Sequence, residues 1–228
     1  PNLFPLLVFK QISLSIKYGN HLYTGFAYST YALILCGSTN EFDKGQEYGD
    51  LAFQLKERFN ARVLGAKIPY IRAHFIRHWK EPYADTHEEA IDGIHQGFNI
   101  GDFLYGAYSI FHHITTTLYM GTSLPETKKL MDSYSSPLAK TKQDLVSNWL
   151  NIYRQTVANL MDDSKINGLL IGVELDETII QPLLENGKDY SGLGVFYLEK
   201  LMLNYILGFN EVALKNGEQA IALLPNLL

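Results

Sequence analysis

An all-α fold is what this sequence predicts: a tetratricopeptide-like α-solenoid of about five antiparallel helical hairpins wound as a right-handed superhelix. Three observations predict it. Small residues recur seven positions apart, at Gly45 and Ala52, at Ala90 and Gly97, and at Ala213 and Ala220. Seven residues make two helical turns, so both members of a pair face one neighbour, which can then approach closely. Apolar residues fall three and four apart through nearly the whole chain, and Gly, Asn and Pro clusters break the pattern at hairpin length. The pattern lapses near 163–175, which reads as one degenerate stretch.

The elements follow in order. Residues 4–17 form a first helix, stopped by Tyr18-Gly19-Asn20, because glycine and asparagine accept the left-handed cap. Residues 21–37 and 41–59 make a hairpin around Gly37-Ser38-Thr39-Asn40, with Glu41 and Asp43 at the positive end of the second helix. A helix over 61–80 is broken by Glu81-Pro82-Tyr83, and Asp85 or Thr86 caps its partner, which runs to Phe98. After the turn 99–102 a helix runs to Met120. Pro125 then opens a short helix, and Ser135-Ser136-Pro137 leads into a long one over 138–162. Residues 166–175 read as an extended linker, since a single strand without a partner makes no sheet. Helices over 176–185, 190–207 and 208–224 complete the chain. In the last hairpin Gly208 takes the turn, Ala213 and Ala220 the tight contacts, and Pro225 the stop. The pairs 45/52 and 90/97 lie 45 residues apart, longer than the usual ~34-residue unit.

Composition narrows the function. With 228 residues and 46% hydrophobic content, the chain can bury a large core as a single segment spanning 1–228. Nineteen basic residues against 24 acidic ones, without a long basic run, argue against nucleic-acid partners. No apolar run reaches the ~18–20 residues of a membrane helix, so membrane insertion is not expected. The single cysteine, Cys36, sits in the apolar run 32–36 and can form no internal disulfide, which fits a cytoplasmic, reducing setting. The chain opens on Pro1 and reads as a fragment of a larger multidomain protein.

Few residues suggest chemistry. His74 and His78 are four apart and share a helix face, as zinc ligands do, and His112-His113 could add a third ligand from the next hairpin. Neighbouring helical positions point about 100 degrees apart, however, and no acidic or cysteine ligand joins them. Packing histidines are the plainer reading. In the run 75–80, Arg77 and Lys80 could hold an anion while Trp79 stacks a planar ligand; alternatively Phe75 and Trp79 pack between hairpins and the charges stay in water. Tyr153 and Arg154 carry the same ambiguity. A small-molecule pocket would draw on Phe75, Arg77, His78, Trp79, His112, Tyr153 and Arg154. Glu88-Glu89 and Asp162-Asp163 read as solvated surface. Without a phosphate loop, a dinucleotide fingerprint, a nucleophile elbow or a Cys-x-x-Cys pair, no catalytic residue, resident metal or cofactor is assigned.

The segments FKQISLSIKYGN (9–20), YALILCG (31–37), FIRHWK (75–80), GDFLYGAYS (101–109) and IYRQT (152–156) resemble one region of very large signalling proteins. These are the trifunctional serine/threonine kinase, ATP-binding protein and sensor histidine kinase family, also described as multi-sensor kinases. The resemblance runs over roughly 3–225 and falls inside the helical, tetratricopeptide-like region that follows the family's kinase and ATPase domains and precedes its GAF and histidine-kinase domains. It implies a non-catalytic scaffold with protein partners, or neighbouring domains of the same chain. No catalytic motif of the family lies within these residues, so its activity is not carried over.

Overall fold

The structure, a computed structural model, describes residues 3–162 and 167–226. Among the described residues it is all-helical, with eleven α-helices and no β-strand. Asp163 and Ile166, placed by the sequence in a surface pair and a linker, lie outside the described residues. The contacts divide the chain into two compact units that part after Thr116.

The first unit holds α1 (Leu3–Tyr18), α2 (Thr24–Thr39), α3 (Phe42–Arg58), α4 (Lys67–Ile71), α5 (His87–Ile100) and the larger part of α6 (Phe103–Tyr119). Asn40, in the left-handed region at φ 55°, closes α2 and turns the chain into α3. The two helices meet at small residues. Gly45 of α3 lies against Cys36 and Ala32, while Gly25 of α2 faces the Ala52 carbonyl. Tyr28 stacks on Tyr48 beside this seam with ring centroids 5.8 Å apart. The next pair, α5 and α6, is tighter still. A Cβ on Gly97 would come within 2.7 Å of the Gly106 Cα, and Gly93 lies over the Ser109 hydroxyl.

The predicted continuous helix over 61–80 is corrected by the structure. Arg62–Leu64 is a 3-10 turn, α4 is short, Arg72–Ile76 is a π-turn, and Arg77–Trp79 and Tyr83–Thr86 are again 3-10 turns. Pro69 has no N–H with which to continue the ladder from the turn before, so the helix restarts near Lys67. The π-turn adds a residue to the helical cycle. Ile76 thereby stays buried while Arg72 reaches Asp50 and Glu89.

The second unit begins at Thr117 and contains α7 (Leu124–Thr141), α8 (Asp144–Met161), α9 (Glu177–Gly187), α10 (Tyr190–Ile206) and α11 (Asn210–Leu223). Here too the sequence reading needs correcting. α7 continues through Pro137, and the break falls at Lys142, in the left-handed region at φ 54°. Proline removes one backbone bond from the helix, but Leu138 and Thr141 remain buried beyond it, and that packing carries the helix another turn. Of the stretch expected to be an extended linker, the described residues 167–175 are non-helical but bend, and fold back through an isolated bridge between Ile171 and Asp176. Leu170 and Leu175 from this stretch enter a core with Ile152, Leu193, Phe196 and Leu203. Gly208, at φ 83°, turns α10 into α11. Ala213 is buried there and Ala220 half-buried, while the tightest approach belongs to Gly217, whose Cβ would meet Leu201 at 2.7 Å. Pro225 lies in the closing 3-10 turn Leu224–Asn226.

Gly97→Ala should destabilise the chain by about 2 kcal/mol, because backbone atoms of Gly106 cannot give way as a side chain would. Gly187→Ala, with nothing near its Cβ, should stay within ~0.5 kcal/mol of wild type. Urea unfolding of the two variants reads the difference; equal stabilities would remove the close helix contact from the account.

Candidate functional site

Five histidines gather in the first unit. His74 comes from the π-turn, His78 from the following 3-10 turn, His87 from the start of α5, and His112 and His113 from α6. His74 and His112 face each other through their Nδ1 atoms at 3.0 Å, and His87 and His113 through Nε2 atoms at 2.9 Å.

Hydrogen-bond bookkeeping fixes the direction of the first pair. The Thr86 hydroxyl donates to the Tyr83 carbonyl at 2.8 Å, so toward His112 Nε2, 3.1 Å away, it can only accept. His112 therefore carries its proton on Nε2 and accepts from His74 through Nδ1. The resulting chain runs from His74 to His112 to Thr86 to Tyr83. It explains why Thr86, predicted as a helix cap, makes no side-chain cap bond to α5. The sequence offered Asp85 or Thr86 for that role; α6 claims the Thr86 hydroxyl instead.

Burial keeps these rings neutral. It pushes His74 down to about 4, with His78 adding repulsion. It takes His112 down to about 2, helped by His74, His78, His113 and His87 around it. His113 falls to about 4, through burial first and His87 second. Tyr70 stacks on His74 at 5.2 Å and on Tyr108 at 5.2 Å, which seals one side of the cluster.

The other residues singled out by the sequence are held by their own surroundings. Arg77 is chelated by Glu81, donates to the Asp85 carbonyl at 2.8 Å and lies 3.4 Å from Glu89. Lys80 pairs with Asp43. Phe75 stands edge-on to Tyr70 and His74. His78 stacks on Tyr83, and Trp79, 48% exposed, stacks on Phe42 with centroids 4.5 Å apart. An open hollow of ≈380 Å³ lies at this stack; of the ligand candidates from the run 75–80, Trp79 and Lys80 line it, while Phe75, Arg77 and His78 do not. Tyr153 and Arg154 belong to the second unit, where Arg154 donates to the Met131 carbonyl at 2.8 Å and to Ser135. Glu89, read from sequence as solvated, is largely buried and bridges Arg72 and Arg77; Glu88 beside it is exposed. Among the described residues, no group of three or more His, Cys, Asp or Glu side chains is placed to hold a metal ion.

Sequence reasoning missed Glu199. It is wholly buried in α10, between Tyr119 and the α8 residues Tyr153 and Thr156. The signal was present, since Glu199 is the one acidic residue of the apolar run 190–206. Comparison of the chain with protein-family models, with curated proteins and with solved structures finds no match in any of the three.

The histidines set an acid limit. Their folded values lie below the ~6.5 of an unfolded histidine, so the unfolded chain takes up protons first as the pH falls. Stability is whole above about pH 6.5 and drains away toward pH 4, by about 2 kcal/mol per fully neutral histidine at pH 5. Urea titrations at pH 7.5 and 5 should show this loss, and His113→Gln should make it shallower. A stability flat across that range would contradict the neutral cluster.

Proposed function

We propose that this chain is a non-catalytic scaffold, a tetratricopeptide-like solenoid segment of a large cytoplasmic signalling kinase. In this reading it relays between an ATPase module and sensor and kinase modules through protein–protein contacts. The observation that carries the proposal is the outer surface of α1. Only Val8 and Ile12 of that helix are buried, while Leu3, Leu6 and Ile16 are 65%, 63% and 75% exposed. A helix facing water shows one apolar stripe; one that is apolar on several sides is made to be covered. Tyr205, Leu214 and Ile221 give the last hairpin a similar exposed set. Helices seated on such faces would bind one curvature of a hairpin array better than another, and that differential affinity is the physical basis of a relay.

Removal of residues 1–228 from the parent chain should leave ATP turnover and kinase output each intact and break the dependence of one on the other. Coupling that survives the deletion would overturn the proposal.

A second reading rests on the hollow beside Trp79 and Phe42, which could take a small planar ligand. A ligand that raises the melting temperature of wild type and fails to raise that of Trp79→Ala would favour it.

A further inference from the structure

Glu199 is 0% exposed, and its two oxygens are served unequally. The Tyr119 hydroxyl donates to Oε1 at 2.8 Å. The Tyr153 hydroxyl lies 3.1 Å from that of Tyr119, whose proton is already committed to Glu199, so Tyr153 donates to Tyr119. On the other side, Thr156 stands beside the carboxyl. The Thr156 proton goes to the Ile152 carbonyl at 3.1 Å, so toward Glu199 its hydroxyl offers a lone pair. Oε2 has no donor among the described residues. A carboxylate would leave a buried, charged Oε2 with no donor to stabilise it. A proton on Oε2 removes that charge and leaves Oε1 to accept from Tyr119.

Cations nearby are engaged elsewhere. Lys200, the next residue of α10, pairs with Glu177 of α9 at 2.7 Å. Arg154 of α8 turns to α7. The titratable groups that face the Glu199 carboxyl among the described residues are thus Tyr119 and, behind it, Tyr153. Among the described residues no positive charge offsets ionisation there.

We propose that Glu199 is a proton-operated latch: protonated, it ties α10 to α8 and Tyr119, and on losing its proton it loosens that junction. Burial pushes the carboxyl up to about 7, against a smaller downward pull from the Tyr119 hydroxyl. The latch therefore works near neutral pH. Because the folded value lies above that of an unfolded glutamate, the stabilisation is complete below about pH 4.5 and is lost as the pH rises through about 7. This sign is opposite to that of the histidines.

Hydrogen–deuterium exchange of the full chain, corrected for the intrinsic pH dependence, tests the latch. Opening of α8 and α10 should rise about tenfold from pH 6 to pH 8 in wild type. Glu199→Gln keeps an acceptor for Tyr119 and stays neutral, so its protection should not fall from pH 6 to pH 8 and should exceed that of wild type at pH 8. Infrared spectra of the wild type should show a protonated-carboxyl band at pH 6 that fades by pH 8, a readout that needs no variant. Absence of that band at pH 6, equal wild-type protection at both pH values, or a Gln variant less protected than wild type at pH 8 would overturn the proposal.

Discussion

Backbone contact between helices at glycine is the constraint on which the first unit depends. With Gly97 against Gly106 and Gly93 over Ser109, α5 and α6 lie closer than side-chain packing alone would permit. That approach brings His87, at the start of α5, within hydrogen-bond distance of His113 on α6. The same seam sets Thr86 under His112. A bulkier residue at Gly97 would therefore act on more than one contact, since the histidine geometry is fixed by the spacing of the helices that carry it. The α2–α3 hairpin uses the same device at Gly45 and Gly25.

Close packing leaves polar groups with nowhere to go but one another. The two units resolve this in chemically different ways. In the first, neutral imidazoles and a threonine pass a single direction of donation from ring to hydroxyl to carbonyl. In the second, amide side chains hold the extended segment: Gln155 accepts from the N–H groups of Glu174 and Leu175, and Asn204 donates to the Gly168 carbonyl at 3.0 Å. These bonds satisfy backbone groups that an extended segment would otherwise bury unpaired, at a cost of about 1–3 kcal/mol each. Glu199 belongs to the same interior and meets it with a carboxyl rather than an amide. An amide is neutral at every pH, and a buried carboxyl is not.

Apolar surface balances this polar interior. Both the first helix and the last hairpin show large side chains to the outside, whereas the aromatic run 75–80 is mostly turned inward or stacked. The densest polar–aromatic stretch of the sequence is in this way a packing and ion-pair segment: Arg77 and Lys80 have carboxylate partners, and Trp79 lies on Phe42. Charge and aromaticity close together in sequence signalled a binding patch only so long as the partners, 35 or more residues away for Lys80 and Trp79, were out of view.

Local periodicity was enough to read the helical class, the turns at Asn40, Gly101 and Gly208, and close helix contacts at Gly45, Ala52 and Gly97. Each of these rests on residues within a few positions of one another: a left-handed turn needs its glycine or asparagine, and a close seam needs its missing side chain. Three-dimensional packing decided the rest. It broke the helix over 61–80 into short turns, carried α7 past Pro137, set five histidines in one neutral cluster, and buried Glu199 against two tyrosines. Those outcomes depend on groups distant in the chain, whose burial and mutual hydrogen bonding set both the local backbone and the state of each proton, and no spacing rule contains that information.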